Sequence, residues 1–527
     1  MCQVDEEYNG LLERQDPPGV SKKCVKCKEA TGALVIRAGD TFCRGCFKEY
    51  FVHKFRAMLG KNRIIFPGEK VLLAVSGGPS SFSMLGQVQE GLSQNAHKKL
   101  RFTPGIVHID EGGILGQAME TRQRTVTELQ SVFKTTGLPY HIVPLEQVLT
   151  LPISVLEPSS SASDQPADSY KNAVDSFILT SLSRCLGPEQ QADLSEHTGQ
   201  GDESPLASLL VDQYHTDTLQ KLFSSVKTQT AKEDLLHILR QHLLVHIARR
   251  EGYSKVMLGE NCTRLAVKLL ANISLGRGAQ LAVDTGFSDP RYGDITMVRP
   301  MRDYSAEEIS LYNHMCNVPS VFMPSLDTKV VPEKASIQHL TESFVTNLQA
   351  DFPSTVSTIY RTSEKLQTVR PSQNSSGMST CNKCLFCMCT LDTTVEESSA
   401  FQAILISEQL SQRKAVGPEK TTGTATQSPG STAAPANQEH CCSFGGQQGG
   451  GEVCGGAGGG RGCCSSFKAP DVTELKSLLC YSCQLTVKDM SSIEVLPKYI
   501  LSEAQKKKRR SQMRDEISEF LLDDDED

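Results

Sequence analysis

Two cysteine pairs, Cys24-x-x-Cys27 and Cys43-x-x-Cys46, constrain this chain more than any other feature. A CxxC turn lets two thiolates converge on one ion, and two such turns complete a tetrahedron of sulfur. Zinc favours that closed shell, which is structural because no position remains for water or substrate. A second group follows far downstream: Cys381, Cys384, Cys387 and Cys389, then Cys480-x-x-Cys483. The expected ligands there are Cys381, Cys384, Cys480 and Cys483. Closing the long loop between them costs little, since closure entropy grows only with the logarithm of length. Cys387 and Cys389 are left over, to replace a ligand, hold an iron–sulfur cluster, or stand spare. The chain has 19 cysteines in all. Its first ten residues are acidic and lack an apolar core, unlike a secretory signal. The cysteines are therefore read as metal ligands in a reducing compartment rather than as disulfides, with about two structural zinc ions per chain.

Between the cysteine groups the pattern turns α/β. Gly45 to Leu59 reads as a helix, with Phe47, Phe51, Phe55 and Leu59 on one face. Val71 to Ser76 is a short apolar run typical of a buried parallel strand, followed by a helix over Ser80–Leu92. Strands over Phe102–Ile109, Tyr140–Val143 and Lys255–Gly259 alternate with helices over Gln117–Thr135, Ala231–Glu251 and Arg264–Ser274. That alternation predicts a doubly wound, mainly parallel sheet flanked by the cysteine modules. Ser305, with Glu308 three residues on, is a capping-box pattern ahead of a helix over Tyr304–Met315.

The expected organisation is a flexible arm over 1–20 and a zinc module with its helix over 21–65. An α/β domain over 66–330 follows, with a polar, Ser-rich, disordered insertion near 155–215. A helical part with the second cysteine module covers 331–500. It is interrupted by a Gly/Ser-rich stretch over 413–470 whose composition cannot form a packed core. A charged tail over 501–527 holds a basic run, Lys506 to Arg510, and an acidic terminus; the run is read as a solvated helix end, ahead of a nuclear-localisation-like signal or an RNA contact. No run of about 18 apolar residues exists to cross a membrane, and the expected location is cytoplasmic.

The net charge is -7, which argues against a free-standing basic nucleic-acid binder. Any RNA contact needs a local patch, and Lys22 to Lys70 supplies one, with 12 Lys and Arg against 4 Asp and Glu. The stretch Ser76-Gly77-Gly78-Pro79-Ser80-Ser81 falls at a strand-to-helix junction. Glycines there let backbone amides approach an anion at a helix N-terminus, although the same residues also make ordinary turns.

Taken in order, these parts resemble the PP-loop (ATP-pyrophosphatase) tRNA sulfur-transferases, on the side of the less catalytic subunit of a two-chain enzyme. The resemblance rests on the CxxC module, the SGGxxS loop, His108-Ile109-Asp110-Glu111-Gly112, Leu258-Gly259-Glu260-Asn261, Arg299-Pro300-Met301-Arg302-Asp303-Tyr304, and the final CxxC pairs. It implies a heterodimer with a catalytic PP-loop subunit acting on tRNA. It also implies ATP and Mg²⁺ used by the complex to adenylate the C2 oxygen of the wobble uridine in tRNAs for Lys, Glu and Gln. The adenylated oxygen is a good leaving group, displaced by sulfur from the thiocarboxylated end of a ubiquitin-like carrier.

The departures from that pattern bear on catalysis. Active members carry SGGxDS; here Ser80 stands at the Asp position and Pro79 at one often held by Lys. A Mg²⁺ partner and a phosphate-neutralising cation are thereby lost. In place of G-H-N-A-D-D the chain has Gly259-Glu260-Asn261-Cys262-Thr263-Arg264, and Thr228 to Leu236 lacks the cysteine that active members place there. Cys262 is read as a small buried apolar residue. Ser76, Gly77, Gly78 and Ser81 are thus expected to form a vestigial nucleotide loop with no catalytic residue. Lys268, Arg277, Arg299 and Arg302 are candidate phosphate contacts. Two other readings stand beside this one: a self-sufficient ATP-dependent tRNA sulfurtransferase, and a zinc-dependent interaction protein without nucleotide chemistry.

Overall fold

The computed structural model describes residues 23–37, 40–93, 96, 99–157, 170–178, 212–324, 326, 336–363, 365–366, 383–391 and 472–518. Cys381, the 1–20 arm, the 413–470 stretch, most of 155–215 and the acidic terminus lie outside these residues. No helix among the described residues is long and apolar enough to cross a membrane.

The first strands among the described residues form an antiparallel hairpin, β1 (Leu34–Arg37) and β2 (Asp40–Phe42), leading into α1 (Arg44–Asn62). The phenylalanine periodicity holds, for Phe47, Phe51 and Phe55 are fully buried. Phe51 stacks on Tyr312 at 4.0 Å between ring centroids, and the Tyr304 hydroxyl donates to the Phe51 carbonyl at 2.6 Å. The first cysteine module is thereby packed onto the α/β body.

That body is built from β3 (Lys70–Ala74), α2 (Pro79–Leu92), β4 (Thr103–Asp110), α3 (Met119–Thr136) and β5 (Tyr140–Pro144). It continues through α4 (Gln213–Ser225), α5 (Gln229–Arg250), β6 (Lys255–Leu258), α6 (Cys262–Ser274), α7 (Leu281–Thr285), β7 (Ser288–Asp289) and β8 (Thr296–Val298). Six strands pair in the order β5-β4-β3-β6-β8-β7, all parallel except the short edge strand β7. The apolar run Val71-Leu72-Leu73 is fully buried because both faces of the sheet are covered. One core packs α1, α2, α3 and α8 (Ala306–Cys316) on one face; the other packs α4, α5 and the C-terminal helices on the opposite face.

The capping box at Ser305 and Glu308 forms as its pattern predicts, each side chain meeting the other's backbone amide. α9 (Ile337–Asp351) and α10 (Pro353–Ser363) pack on α6 around Cys262, Leu265, Val345 and Tyr360. Cys262 is therefore a core residue, and burial pushes its thiol up to about 11. The chain closes with α11 (Val472–Ser477), α12 (Tyr481–Lys488) and α13 (Lys498–Ser518).

Candidate metal centres and the sheet-edge loop

The sulfurs of Cys24, Cys27, Cys43 and Cys46 lie within 4.8 Å of one another. Tetrahedral zinc thiolate needs about 3.8 Å between sulfurs at its usual bond length, so the set fits a metal of that kind. Local backbone explains the convergence. After Cys27 the chain turns back through Lys28 at φ 62°, and the Lys28 amide donates to the Cys24 carbonyl at 2.8 Å. Cys43 caps α1, and the Cys46 amide donates to its sulfur at 3.5 Å. Amides aimed at sulfur favour thiolate: the Cys24 thiol is lowered to about 6, first by the Cys27 amide and then by that of Cys43.

The second centre repeats this design. Lys383↔Thr390 bridges as Lys23↔Thr31 does, Met388 takes φ 59° as Lys28 does, and the Met388 amide donates to the Cys384 carbonyl at 3.1 Å. Cys480 stands at the N-cap of α12 as Cys43 does at that of α1, though without a side-chain cap bond, and its amide donates to the Cys384 sulfur at 3.3 Å. The sulfurs brought together are those of Cys384, Cys387, Cys480 and Cys483, again within 4.8 Å. Cys387 thus belongs to the group, while Cys381 lies outside the described residues. The overlapping spacing Cys381-x-x-Cys384-x-x-Cys387 concealed the choice. A usable signal was the lysine that precedes the first cysteine of each turn, Lys23 and Lys383.

Charge around this centre is organised too. Arg277 ion-pairs with Asp234 at 2.6 Å and donates toward the Cys483 sulfur at 4.0 Å. Arg291, paired with Asp284 and Asp289, donates to the Cys389 sulfur at 3.5 Å. Cys389 is buried, 3.2 Å from Cys387. A cavity of about 170 Å³ opens beside Cys387 and Cys389, reaching Glu233, His237 and Lys268 on α5 and α6. Burial, then the charges of Lys268 and Arg240, hold His237 neutral, lowered to about 3.

The glycine loop sits where a doubly wound sheet reverses direction, between β3 and β6, the usual place for a ligand crevice. Gly77 adopts φ 94°, and Gly78 caps α2. The crevice is filled by protein. The Val321 amide donates to the Gly77 carbonyl at 3.0 Å, and a Cβ on Gly77 would meet Met323 Cγ at 2.6 Å. Asn261 Nδ2 donates to Ser80 Oγ at 3.2 Å. Ser81 donates to the Gly78 carbonyl at 2.9 Å, and Ser76 to Ser81 at 3.3 Å. Gly259 approaches the start of α2 so closely that a Cβ would lie 2.9 Å from Ser81 Cα. Since that contact is with backbone, Gly259→Ala is expected to destabilise the fold by about 1–3 kcal/mol. A denaturant midpoint unchanged from the parent would refute this account of the packing.

Carboxylates at the carboxyl ends of these strands are engaged internally. Asp110 and Glu146 hold the fully buried Arg122 at 2.8 and 2.7 Å, and Glu111 holds Arg240 at 2.6 Å. Glu260 binds Lys268 at 3.1 Å and Arg299 at 2.5 Å. Despite burial, the charges of Lys268 and Arg299 keep the Glu260 carboxyl well below the usual range.

These contacts also place the candidate RNA contacts. Arg299 and Arg302 are buried; Arg299 donates to the Val283 and Gly286 carbonyls, and Arg302 to that of Thr285. Arg277 and Lys268 are largely covered in the ion pairs above. Charged groups inside a protein must be paired; Arg299 and Arg302 are held internally, whereas Lys268 and Arg277 line the cavity beside the second cysteine centre. By contrast Lys23, Lys28, Arg44, Lys48, Lys61 and Arg63 in the first module are exposed.

Fold and cysteine geometry together define a class: a doubly wound α/β protein with two four-sulfur centres of repeated design. The family model for cytoplasmic tRNA 2-thiolation protein 2 matches residues 336–485. The chain is 56% identical over 531 residues to cytoplasmic tRNA 2-thiolation protein 2 of Danio rerio, covering 100% of both chains. It is 47% identical over 543 residues to the Homo sapiens protein of that name, covering 100% of this chain and 99% of the other. The chain belongs to the cytoplasmic tRNA 2-thiolation protein 2 family. Among solved structures, the U34-tRNA thiolase NcsA from Methanococcus maripaludis with its 4Fe-4S cluster superposes at a TM-score of 0.44 with 16% identity. That match covers 71% of this chain and 98% of the other.

Proposed function

We propose that this chain is the supporting, PP-loop-like subunit of a cytoplasmic tRNA 2-thiolation complex. It binds tRNA and pairs with a catalytic PP-loop subunit that makes 2-thiouridine at the wobble position of tRNAs for Lys, Glu and Gln. The sulfur comes from a thiocarboxylated ubiquitin-like carrier, and ATP with Mg²⁺ is handled by the partner. The observation that carries the supporting role is the state of the sheet edge. Mg-nucleotide chemistry needs carboxylates free to hold the cation and a positive group aimed at phosphate. Here Asp110, Glu111 and Glu260 are closed in ion pairs with Arg122, Arg240, Lys268 and Arg299. Val321 and Met323 lie over the glycine of the loop.

The two cysteine centres would hold zinc as structural ions. Zinc supplies no chemistry to a reaction from a closed four-sulfur shell. The residues around it fix the shape of each module, and the first module turns the exposed cations of α1 toward RNA.

The purified chain, given ATP, Mg²⁺ and tRNA, is expected to form neither adenylated nor thiolated tRNA, while addition of the catalytic partner restores thiolation. RNA-dependent nucleotide turnover by the chain alone would instead establish the self-sufficient enzyme.

A further inference from the structure

α13 is half a core helix and half a free arm. Tyr499, Ile500, Leu501 and Ala504 are buried against the C-terminal core, whereas every residue from Lys508 to Ile517 is exposed. Its root is tied to the second cysteine centre. The Tyr499 hydroxyl and His242 Nδ1 lie 2.7 Å apart, and His242 Nε2 reaches the Phe386 carbonyl, inside the Cys384–Cys387 turn, at 2.7 Å. Lys507 Nζ donates to the Lys383 carbonyl at 3.0 Å. Thus the metal-type turn, α5 and the base of α13 form one hydrogen-bonded unit, and the arm leaves the body in a fixed direction.

The arm's charge is opposite to that of the chain. Lys506, Lys507, Lys508, Arg509, Arg510 and Arg514 fall within nine residues without an intervening acid, in a protein of net charge -7. Arg510 and Arg514 share a helical face one turn apart, with Arg509 beside them. None of these three arginines has an ion-pair partner among the described residues, unlike the buried Arg122 and Arg299 and the largely covered Arg277 and Arg291. A helix exposed on all sides gains nothing from tertiary packing. Its exposed large apolar side chains among the described residues are Met513 and Ile517, one turn apart, short of the continuous stripe a partner helix would bury. A row of cations spanning roughly 12 Å, at 1.5 Å per residue, suits a nucleic-acid backbone, where affinity comes from phosphate neutralisation.

We propose that the free end of α13, through Arg509, Arg510 and Arg514, is a phosphate-contacting surface for RNA, held in position by the second cysteine centre. The assignment rests on the reading of this protein as a tRNA-binding subunit.

The test compares the full chain with its triple variant Arg509→Gln, Arg510→Gln, Arg514→Gln, using an unmodified tRNA transcript between 50 and 200 mM salt. A control removes equal charge from exposed positions on the opposite face of the sheet: Arg101→Gln, Arg124→Gln, Lys134→Gln. The arm variant is expected to bind at least tenfold more weakly and to lower the slope of log affinity against log salt by about 2, at roughly 0.7 per lost contact. Its melting should match the parent's, and the control should bind as the parent does. If the parent binds tRNA and the arm variant keeps its affinity and slope, the proposal fails. It also fails if the control loses as much, since only net charge would then be acting. Loss of a co-purifying protein with tRNA binding intact would reassign the arm to a protein partner. A parent chain without tRNA affinity overturns both this inference and the functional reading beneath it.

Discussion

Arg122→Met is expected to lower the free energy of unfolding by about 3–5 kcal/mol, the usual consequence of stranding a buried charge. Arg122 is enclosed between β4, α3 and the turn after β5, with its side chain only 2% exposed. Its guanidinium donates to Asp110 Oδ2 at 2.8 Å and to both oxygens of Glu146 at 2.7 and 3.1 Å. Removing it leaves two carboxylates that are 4% and 3% exposed. They keep only the Gly112 amide on Asp110 at 2.9 Å and the Thr216 hydroxyl on Glu146 at 3.1 Å. Two neutral-donor hydrogen bonds cannot replace a shared cation in a low-dielectric interior. The chain has no tryptophan, so calorimetry or circular dichroism is the suitable measurement, and a fall of about 10 °C in Tm is expected. Adding Asp110→Asn and Glu146→Gln should recover part of the loss, because the stranded charges go with their partner. A single variant within 1 kcal/mol of the parent would show that the triad does not bind the carboxylates as argued.

That triad marks where the sequence stopped being readable. Local patterns were legible: the Val71-Leu72-Leu73 run, the Phe47/Phe51/Phe55 spacing and the Ser305–Glu308 capping box each act within a few residues, and each forms. Pairing of charges across the fold was not. Nothing local to Arg299 announces Glu260, or to Arg277 announces Asp234, 43 residues away. These arginines therefore read as surface cations although they are internal. The helix α4 lay inside the expected polar insertion at its start, because Asp212 as a cap and a modest apolar face of Leu219, Leu222 and Phe223 are weak signals beside the Ser-rich stretch before them. The place of Cys387 in the four-sulfur group needed the turn geometry itself, with Met388 in the left-handed region closing the loop.

Cys483→Ser is expected to remove one of two metal ions per chain and to loosen residues 472–518 from the body. Cys483 is fully buried at the start of α12, where it faces the sulfurs of Cys384, Cys387 and Cys480. Three thiolates and a hydroxyl make a poor structural zinc site. The binding free energy at stake, about 10–16 kcal/mol for such sites in small zinc peptides, sets the upper bound on the lost stability. Leu475, Leu479, Val487, Leu496 and Ile500 still pack into the core shared with α4 and α5, so the observed loss should fall well below that bound. It should appear as faster proteolysis after Lys476 and Lys488 and as one metal fewer by elemental analysis. Cys387→Ser should do the same, because its sulfur belongs to the same group. Cys389→Ser should retain both ions, since its sulfur, though 3.2 Å from that of Cys387 and 3.5 Å from Arg291, lies outside the group. The pair of variants decides the ligand set: if the Cys387 change keeps two ions while Cys381→Ser keeps only one, the four sulfurs are assigned wrongly. Iron in place of zinc in the parent would overturn the structural role, because a cluster brings electron transfer and sulfide that a closed zinc shell does not.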